Sequence, residues 1–574
     1  MKSLLEETIR GAIVALQEAG TLPLFGLPPI RVERPKDDQF GEYTTNIALV
    51  MAKLVQKNPL ELAEMIKDEI LKQIQDDKVA FEKVEVVQPG YINFYLPDSY
   101  FQDIIRNINE KKTGFGIGVN GHKEKIMVEY SQPNTHKEFH IGHLRNVFIG
   151  NTLVNVLHAY GHEVIAANYI GDTGTHIAKC LWGLTKFHAD QNLDAIENKA
   201  EFLGKVYSEA TEQISESPEY EDEFKLLQKK FEEGDAMLIA LWEKTKRWSM
   251  DEFENIYKRL GVVFDVYFYE SVEEVAGKKL LPELLEKGIV EQSEGAIIAN
   301  LEEYGLGVLV LVRKDGSALY GLKDIPLAKE KFEQYGIEKS VIVVDIRQSL
   351  YFKQLFKILA LYGFHEEMVH YGYEFVSLKG GESMSSRKGN IIPARMLIEQ
   401  VAEKVRKQFP ESPQPEAIAL GAIRFAMLRH SAGSKIEFDI EESVRLDGAT
   451  GPYIQYAHAR IASILRKAEE EGFKNGEKGN ASILVFQTQE TDLVRELSKF
   501  PELIEDIAET YAVHTLAHYA IRVADKFHSF YNECKVIDRE HRDVSMGRLE
   551  LIRATKIVLE EVLGLMGISA PEKM

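Results

Sequence analysis

Cysteine is the rarest residue of this sequence, with two copies among 574 residues. Cys180 and Cys534 lie far apart along the chain. Two isolated thiols exclude a disulfide framework and any zinc site that is built on clustered thiolates. We therefore expect neither a disulfide-stabilised domain nor a protein-bound structural metal.

Long apolar runs are also missing. A membrane-spanning helix needs about 20 consecutive apolar residues, and no segment of the sequence approaches that length. The N-terminus has early acids and apolar residues at helical spacing, which is typical of a folded helix rather than a signal peptide. These absences exclude a membrane protein and predict a cytoplasmic location.

Positive charge is in deficit, because 69 Lys and Arg face 90 Asp and Glu, for a net charge of -21. This balance argues against a protein that coats nucleic acid, since sequence-independent binding to phosphates needs many basic contacts. A local basic stripe on an acidic body still allows the binding of one folded RNA. Composition alone leaves both possibilities open.

The chain is too long for one hydrophobic core, because single cores stop growing at about 250–300 residues. A helix at the N-terminus, a second helix over 45–55 and strands within 84–96 predict a first domain of the α+β type. The end of the chain has apolar residues at helical spacing and is predicted to be all α-helical. The predicted domains are 1–112, 113–395 and 396–574.

The middle domain is predicted to be α/β, with a doubly wound, Rossmann-like parallel sheet. Its first strand, helix and strand, within 126–170, form a βαβ unit. Strand-like runs that begin at Val308 and Ser340 extend the predicted sheet over 122–380. Residues from about 190 to 254 are charged and helix-patterned, which indicates an insertion into this domain.

The most informative stretch runs from Glu129 to His143, between the first strand and the first helix of the sheet. That junction lies at the carboxyl edge of the sheet, where ligands bind and where helix N–H groups favour phosphate. His140 and His143 share one helix face and are candidate donors to a charged phosphate, and Gly142 allows close approach. A metal site that uses His136 remains an alternative, but the loop at Pro133 argues against it.

This stretch resembles the HIGH signature of the class I aminoacyl-tRNA synthetases, and SQPNTHKEFHIGHLRN is similar to the arginyl branch. A second segment, SMSSRKGN at 383–390, resembles the KMSKSKGN signature. Ser383 and Ser386 stand where the two signature lysines are usual. The resemblance implies that the catalytic residues are His140, His143, Lys137, Arg387 and Lys388, and that ATP contacts His140, Gly142, His143, Met384, Ser385 and Ser386.

Further blocks extend the resemblance over almost the whole chain. NYIGDTGTHI at 168–177 has Thr173 where Trp is usual, and VVDIRQSLYFKQLF at 343–356 has Tyr351 where His is common. The resemblance implies that Asp324 binds the guanidinium of arginine, which needs planar, charged acceptors. The implied arginine-binding residues are Glu129, Ser131, Asn134, Tyr320, Asp324 and Gln348.

Two terminal segments resemble the RNA-binding parts of the family. PGYINFYL in the first domain is similar to its N-terminal module, and GPYIQYAHAR at 451–460 is similar to the start of its anticodon-binding domain. Aromatic side chains beside cations suit unpaired RNA bases. The residues expected to contact tRNA are Tyr91, Asn93, Tyr453, Tyr456 and Arg460.

The resemblance thus implies an arginine–tRNA ligase, which we expect to be a monomer. Its expected substrates are L-arginine, ATP with its Mg²⁺, and tRNA(Arg), and the resemblance implies that activation of arginine depends on tRNA. A cysteinyl enzyme is disfavoured because it would need zinc-binding thiolates. A small-molecule nucleotidyltransferase would not explain the terminal domains, and an inactive RNA-binding protein is favoured by the altered second signature alone.

Overall fold

The computed structural model describes residues 1–74, 81–118, 123–380, 392–473 and 487–574. The chain divides into two compact units. The first unit consists of Met1–Lys112, Phe473–Lys499 and Ser529–Ala554, and the second consists of Thr113–Gly472, Phe500–His528 and Thr555–Met574. The C-terminal region contributes to both units, and the two boundaries between the three predicted domains stay a prediction.

The first unit contains a small antiparallel sheet with helices. Its strands are β1 Val32–Glu33, β2 Tyr43–Thr45, β3 Lys83–Val87 and β4 Tyr91–Tyr95, in the order β1-β2-β4-β3. Its helices before residue 112 are α1 Lys2–Glu18, α2 Ile47–Val55, α3 Pro59–Ile74 and α4 Asp98–Lys111. The turn at Pro89 and Gly90 joins β3 to β4, so the predicted helices and strands of this region are confirmed.

The second unit is built around a five-stranded parallel sheet in the order β12-β11-β5-β6-β7. These strands are β5 Lys125–Glu129, β6 Glu163–Ile170, β7 Val266–Tyr269, β11 Lys339–Asp345 and β12 Glu367–Tyr373. The chain builds outward from β5 to β7, then returns to the other side of β5 with β11 and β12. This reversal between β5 and β11 confirms the doubly wound α/β fold and creates the switch point at which such sheets bind ligands.

Helices cover this sheet and carry the insertion. They are α5 Ile141–Tyr160, α6 Thr175–Phe187, α7 Lys199–Glu216, α8 Pro218–Glu232, α9 Ala236–Leu260, α10 Glu270–Glu286, α11 Tyr320–Tyr335 and α12 Ser349–Tyr362. The predicted insertion is helical, and its helices have a core of their own. Leu203 and Val206 of α7 pack there against Leu181 of α6 and Trp248 of α9.

One predicted strand of the parallel sheet is wrong. The run that begins at Val308 forms β10 Val308–Val312, which pairs antiparallel with β9 Ala296–Asn300; β9 in turn pairs with β8 Glu291–Ser293. Val308 and Val310 are exposed, whereas Leu311 is buried. A continuous apolar run is typical of a strand covered on both faces, but here one face of an edge strand is left open.

The rest of the described chain is mainly helical. It contains α13 Ala394–Gln408, α14 Pro415–Leu428, α15 Ile440–Ser443, α16 Gly451–Glu470, α17 Thr488–Leu497, α18 Phe500–Thr510, α19 His514–Glu533 and α20 Arg542–Leu565. Two short strands, β13 Val376–Leu378 and β14 Ile436–Phe438, pair in parallel. Within the residues that the structure covers, no helix is long and apolar enough to cross a membrane.

Gly150 lets α5 lie directly against the end of β5. A Cβ built on Gly150 would lie 2.2 Å from Cγ of Tyr130. We expect Gly150→Ala to lower the free energy of unfolding by about 1–3 kcal/mol, because overpacking forces shifts in a buried cluster. Urea denaturation measures the change.

Gly564 supplies the matched control, since it lies in α20 and a Cβ there would meet open space. Gly564→Ala is expected to stabilise the protein by about 0.5–1 kcal/mol, because alanine is the better helix former. Equal effects of the two substitutions would contradict the close approach at Gly150.

Candidate active site at the carboxyl edge of the sheet

The loop between β5 and α5 is held in an unusual backbone conformation. Ser131, Gln132 and His136 have φ values of 77°, 46° and 61°, in the left-handed region that non-glycine residues seldom adopt. The N–H of Ser131 donates to Oδ1 of Asn146 at 2.5 Å, and its Oγ is 2.7 Å from the hydroxyl of Tyr257. Strain of this kind clusters at functional sites and persists only where surrounding contacts impose it.

His136 belongs to the framework of this loop. Its ring nitrogens lie 3.1 Å from Oγ1 of Thr135 and 2.7 Å from Oγ1 of Thr245. Its backbone N–H donates to Oγ of Ser249 at 2.9 Å. Burial lowers the pKa of His136 to about 3. Among the residues with described positions, no group of three His, Cys, Asp or Glu side chains is placed to hold a metal ion.

His140 and His143 are oriented by the first turn of α5. The N–H of Gly142 donates to Nδ1 of His140, and the N–H of His140 donates to Nδ1 of His143, each at 3.1 Å. Because a backbone N–H is always the donor, each Nδ1 is an acceptor and each neutral ring carries its proton on Nε2. A Cβ on Gly142 would lie 3.0 Å from the ring of His140, so glycine permits this fold-back.

Both histidines are neutral at physiological pH. Burial, and then the charge of Lys137, lowers the pKa of His140 to about 4. The same burial, together with His140 and Lys137, holds the pKa of His143 well below its usual value. The rings stack with their centroids 3.8 Å apart. The pair therefore offers two uncharged Nε2–H donors side by side.

The backbone of this helix start does not offer the donors that the sequence analysis expected. The N–H of Ile141 donates to the carbonyl of Ile392 at 3.3 Å, and that of His143 to the carbonyl of His140 at 2.9 Å. With Gly142 bonded to the ring of His140, the first three amides of α5 are occupied. The expectation of phosphate binding by these amides is wrong, because the carbonyl of Ile392, the ring of His140 and the carbonyl of His140 accept their hydrogen bonds.

Lys137 brings a cation to the same place. Its Nζ lies 5.5 Å from the ring centroid of Tyr207, on α7 of the insertion. Burial lowers the pKa of Lys137, and the charge of Glu270 opposes this shift. No carboxylate of the described chain forms a salt bridge with it. A partly buried lysine without an ion-pair partner, next to two histidines, is suited to an anionic ligand.

A second group of charges lies around Asp324, in the second turn of α11. Tyr351 of α12 donates a hydrogen bond to Oδ2 of Asp324, whereas the buried Oδ1 has no hydrogen-bond partner in the part of the chain that the structure describes. Burial raises the pKa of Asp324 to about 7; Tyr351 lowers it, and the charges of Glu129 and Glu270 raise it. An unpaired buried carboxylate oxygen is costly unless a ligand supplies a donor.

Glu129 joins this group of charges, which forms the predicted arginine pocket, from the end of β5. Its carboxylate is 3% exposed, forms an ion pair with Lys331 of α11, and accepts a hydrogen bond from Nε2 of Gln132 at 2.9 Å. When Asp324 is ionised, Glu129, Asp324 and Lys331 together carry one net negative charge. The pocket is therefore complementary to a ligand group with one positive charge.

The remaining residues predicted to bind arginine lie at the edge of the sheet, around the Asp324 group. Asn134 pairs with Gly171, just beyond β6. Tyr320, the first residue of α11, is exposed, as is Gln348 in the turn after β11. These residues follow the ends of three strands or begin α11, and they therefore lie at one edge of the sheet. Ser131 is also predicted to bind arginine, but its hydroxyl is already bonded to Tyr257.

Part of the predicted site lies outside the described residues. Those residues are Met384, Ser385, Ser386, Arg387 and Lys388, and their roles stay predictions. The described chain resumes at Ile392, and the N–H of Ala394 donates to the carbonyl of Phe139 at 2.8 Å. The segment that follows the second signature is thus bonded directly to the HIGH segment.

Comparison with known proteins accounts for the chain from end to end. Family models match three segments: "tRNA synthetases class I (R), catalytic domain" at 105–439, "Arginyl tRNA synthetase N terminal domain" at 3–96 and "DALR anticodon binding domain" at 454–574. An arginine–tRNA ligase of Bdellovibrio bacteriovorus is 36% identical over 78% of this chain and 80% of its own length. One from Lactococcus lactis subsp. cremoris (strain SK11) is 32% identical over 95% of both chains.

The chain belongs to the arginyl-tRNA synthetase family. Among solved structures, the Thermus thermophilus arginyl-tRNA synthetase superposes with a TM-score of 0.81 at 27% identity, covering 100% of both chains. The predicted recognition of the family, the fold class and the class I type of enzyme are confirmed.

Four of the five residues of this synthetase that were predicted to contact tRNA are hydrogen-bonded within the protein. Tyr91 is exposed at the start of β4, whereas Asn93 is 2% exposed and accepts a hydrogen bond from Oγ1 of Thr44 at 2.7 Å. In α16, Tyr453 donates to Asp525 at 2.6 Å. An RNA contact by Asn93 would require its amide to leave Thr44.

Tyr456 and Arg460 form a pair one turn apart on α16, where Nη1 of Arg460 donates to the hydroxyl of Tyr456 at 2.8 Å. This pair presents an aromatic face and a cation together. The roles of these residues in this synthetase stay predictions.

Three residues of the pocket were missed by the sequence analysis. Lys331 follows Asp324 by seven residues, which is two helical turns, so the spacing signals a shared face of α11. Glu270 follows β7 directly, at the same edge of the sheet as Glu129, and its ion pair with Lys323 leaves the net charge of the pocket unchanged. Tyr169 of β6 has a buried hydroxyl for which the described chain supplies no hydrogen-bond partner. Burial, and then the charge of Asp324, raises the pKa of Tyr169 well above its usual value.

Tyr169→Phe is expected to separate binding from stability. The unpartnered hydroxyl gives the fold no hydrogen bond, so its removal should leave the free energy of unfolding unchanged or raise it by about 1 kcal/mol. The Michaelis constant for arginine should increase about 3–10-fold, because a hydroxyl oxygen that can accept from the guanidinium beside the two carboxylates is lost. Thermal unfolding and arginine titrations measure the two effects; a loss of stability with unchanged arginine binding would assign Tyr169 to the fold alone.

Proposed function

We propose that this chain activates L-arginine with ATP and transfers it to the 3′-terminal ribose of tRNA(Arg). The observation that carries this proposal is the pocket of Asp324, Glu129 and Lys331, with one net negative charge, at the same sheet edge as the neutral His140–His143 pair. A guanidinium is planar, permanently charged and rich in donors, which matches an unpaired carboxylate oxygen. Membership of the arginyl family supports the same substrate.

The first step is the formation of arginyl-adenylate. A carboxylate oxygen of arginine bonds to the α-phosphorus of ATP, and the bond to the β-phosphate oxygen breaks and releases pyrophosphate. The Nε2–H groups of His140 and His143 donate to oxygens on which negative charge accumulates, and the cation of Lys137 stabilises the leaving pyrophosphate. Magnesium arrives with the triphosphate and neutralises part of its charge.

The second step transfers arginine to RNA. A terminal ribose hydroxyl of tRNA attacks the carbonyl carbon of the adenylate, and AMP leaves with the bonding electrons. The protein acts here mainly by holding the reactants in place. Tyr91, Asn93, Tyr453, Tyr456 and Arg460 are the proposed tRNA contacts, and the proposed domains are 1–112, 113–395 and 396–574.

Three further features of the enzyme belong to this proposal. Activation of arginine depends on tRNA, the enzyme is a monomer, and it acts in the cytoplasm. Met384, Ser385 and Ser386 contribute to ATP binding, and Arg387 and Lys388 add cations beside Lys137. The proposal includes no protein-bound structural metal, because Cys180 and Cys534 are too far apart in sequence to form a site of clustered thiolates.

The test is ATP–pyrophosphate exchange with each of the twenty amino acids, with and without total tRNA. Exchange with arginine alone, and only when tRNA is present, is the expected result. Exchange that is specific for another amino acid would refute the pocket assignment. Binding of tRNA without exchange for any amino acid would instead identify an inactive RNA-binding protein.

A further inference from the structure

Tyr351 occupies a decisive position beside the proposed arginine pocket. It lies in the first turn of α12, which follows β11 and the turn that carries Gln348. Its hydroxyl reaches across to α11 and donates a hydrogen bond to Oδ2 of Asp324. At this position the resemblance to the family leads one to expect His, another side chain with an N–H or O–H donor. The chain thus keeps a donor where it changes the residue.

The two carboxylate oxygens of Asp324 differ in their hydrogen bonding. Oδ2 is occupied by Tyr351, whereas Oδ1 is buried and has no hydrogen-bond partner among the described residues. A carboxylate that rotates freely would present either oxygen in many orientations. A donor fixed on one oxygen holds the plane of the group, and a guanidinium needs such a plane because its own donors form a rigid fork.

We propose that Tyr351 is a positioning residue for arginine specificity, which holds the Asp324 carboxylate with Oδ1 turned toward the substrate guanidinium. This inference rests on the proposed function, because it assigns a role within the same pocket. The ammonium of lysine is a compact charge with rotatable donors, so it gains less from a fixed carboxylate plane. Tyr351 therefore favours arginine over lysine.

The charges around Asp324 predict that arginine binding depends on pH. Glu129 from β5, Glu270 from α10 and Lys331 from α11 all act on the pKa of Asp324. The hydrogen bond from Tyr351 lowers that pKa, while burial raises it. Because arginine needs the ionised carboxylate, binding weakens as the pH falls through about 7. Loss of the Tyr351 donor raises the pKa further and moves this decline to higher pH.

The experiment compares Tyr351→Phe and Tyr351→His with the full-length wild-type enzyme in tRNA-supported exchange. Tyr351→Phe should raise the Michaelis constant for arginine roughly tenfold or more, as expected for a lost hydrogen bond to a charged group. Its kcat should change less than about threefold, and the acid limb of kcat/KM should move to higher pH. Tyr351→His restores a donor and should recover both properties.

Tyr362→Phe is the matched control. Tyr362 lies at the other end of α12, and its hydroxyl donates to a carboxylate oxygen of Glu283 at 2.9 Å. Its loss should leave the Michaelis constant and the pH profile of the enzyme unchanged. Should Tyr351→Phe fail to fold, Tyr351→Met replaces it, because methionine fills the space without a donor.

The outcomes separate this inference from the proposed function. A wild-type enzyme without arginine-dependent exchange would refute the proposed function. An active wild-type enzyme whose Tyr351→Phe variant keeps the wild-type Michaelis constant, pH profile and arginine-to-lysine preference would refute the role of Tyr351 alone. A variant with lower kcat and an unchanged Michaelis constant would also overturn that role.

Discussion

We expect Asp324→Asn to weaken the use of arginine severely and to leave the fold intact. The substitution keeps the shape of the side chain and an acceptor for Tyr351, but it removes the charge that faces the guanidinium. Loss of one partner from a buried charge pair costs about 3–5 kcal/mol, so kcat/KM for arginine should fall by at least about a hundredfold. Exchange kinetics with saturating ATP and tRNA give this ratio.

Stability provides the control for Asp324→Asn, and its sign can be worked out. Because the pKa of Asp324 is raised to about 7 in the folded protein, the native state binds a proton that the unfolded state releases near pH 4. The stability of the fold therefore decreases as the pH rises from about 4 to 7. A neutral amide avoids this loss, so Asn should be at least as stable as Asp at pH 8. Wild-type arginine affinity in the variant would remove Asp324 from the pocket.

Lys137→Ala should slow the formation of the adenylate severely. The lysine lies beside the two neutral histidines and has no ion-pair partner in the described chain, so its charge is available to the leaving pyrophosphate. Removal of one electrostatic stabiliser of a transition state typically costs a factor of about 100–1,000 in rate. The loss should fall on kcat of the exchange reaction, while the Michaelis constant for arginine stays close to that of the wild type.

A second lysine over an aromatic ring supplies the matched control. Nζ of Lys186, in α6, lies 5.0 Å from the ring centroid of Tyr220, which belongs to α8 of the insertion. Lys186 also forms a salt bridge with Glu223 at 2.7 Å. Lys186→Ala should therefore keep the wild-type rate. An unchanged rate for Lys137→Ala as well would assign the missing cation to Arg387 or Lys388.

The local features of this protein could be predicted from the sequence because neighbours along the chain create them. The periodicity of α1, the turn at Pro89 and Gly90, and the βαβ unit of β5, α5 and β6 all depend on short-range patterns. The HIGH segment belongs to the same group, since a strand followed directly by a helix places it at the carboxyl edge of a parallel sheet. The family resemblance then extended these patterns to a class I synthetase, which the comparisons confirm.

Burial, and pairing between segments that are distant along the chain, could not be predicted from these local patterns. The apolar run at Val308 looked like a strand of the parallel sheet, but strand pairing depends on partners far along the chain, and β10 joined an antiparallel edge instead. The amides of α5 looked available to phosphate until Ile392 and the ring of His140 occupied them. Asn93 shares a strand with Tyr91, yet only the folded unit decides that it is buried against Thr44.

The sequence by itself determined the fold class, the family and the position of the HIGH residues, because these depend on local patterns and on motifs that lie within single segments. Only the tertiary structure decided the proton positions of His140 and His143, the ion pair of Glu129 with Lys331, and the hydrogen bond from Tyr351 to Asp324. The physical reason is that charge, tautomer and orientation depend on burial and on partners from other elements, which no single segment contains.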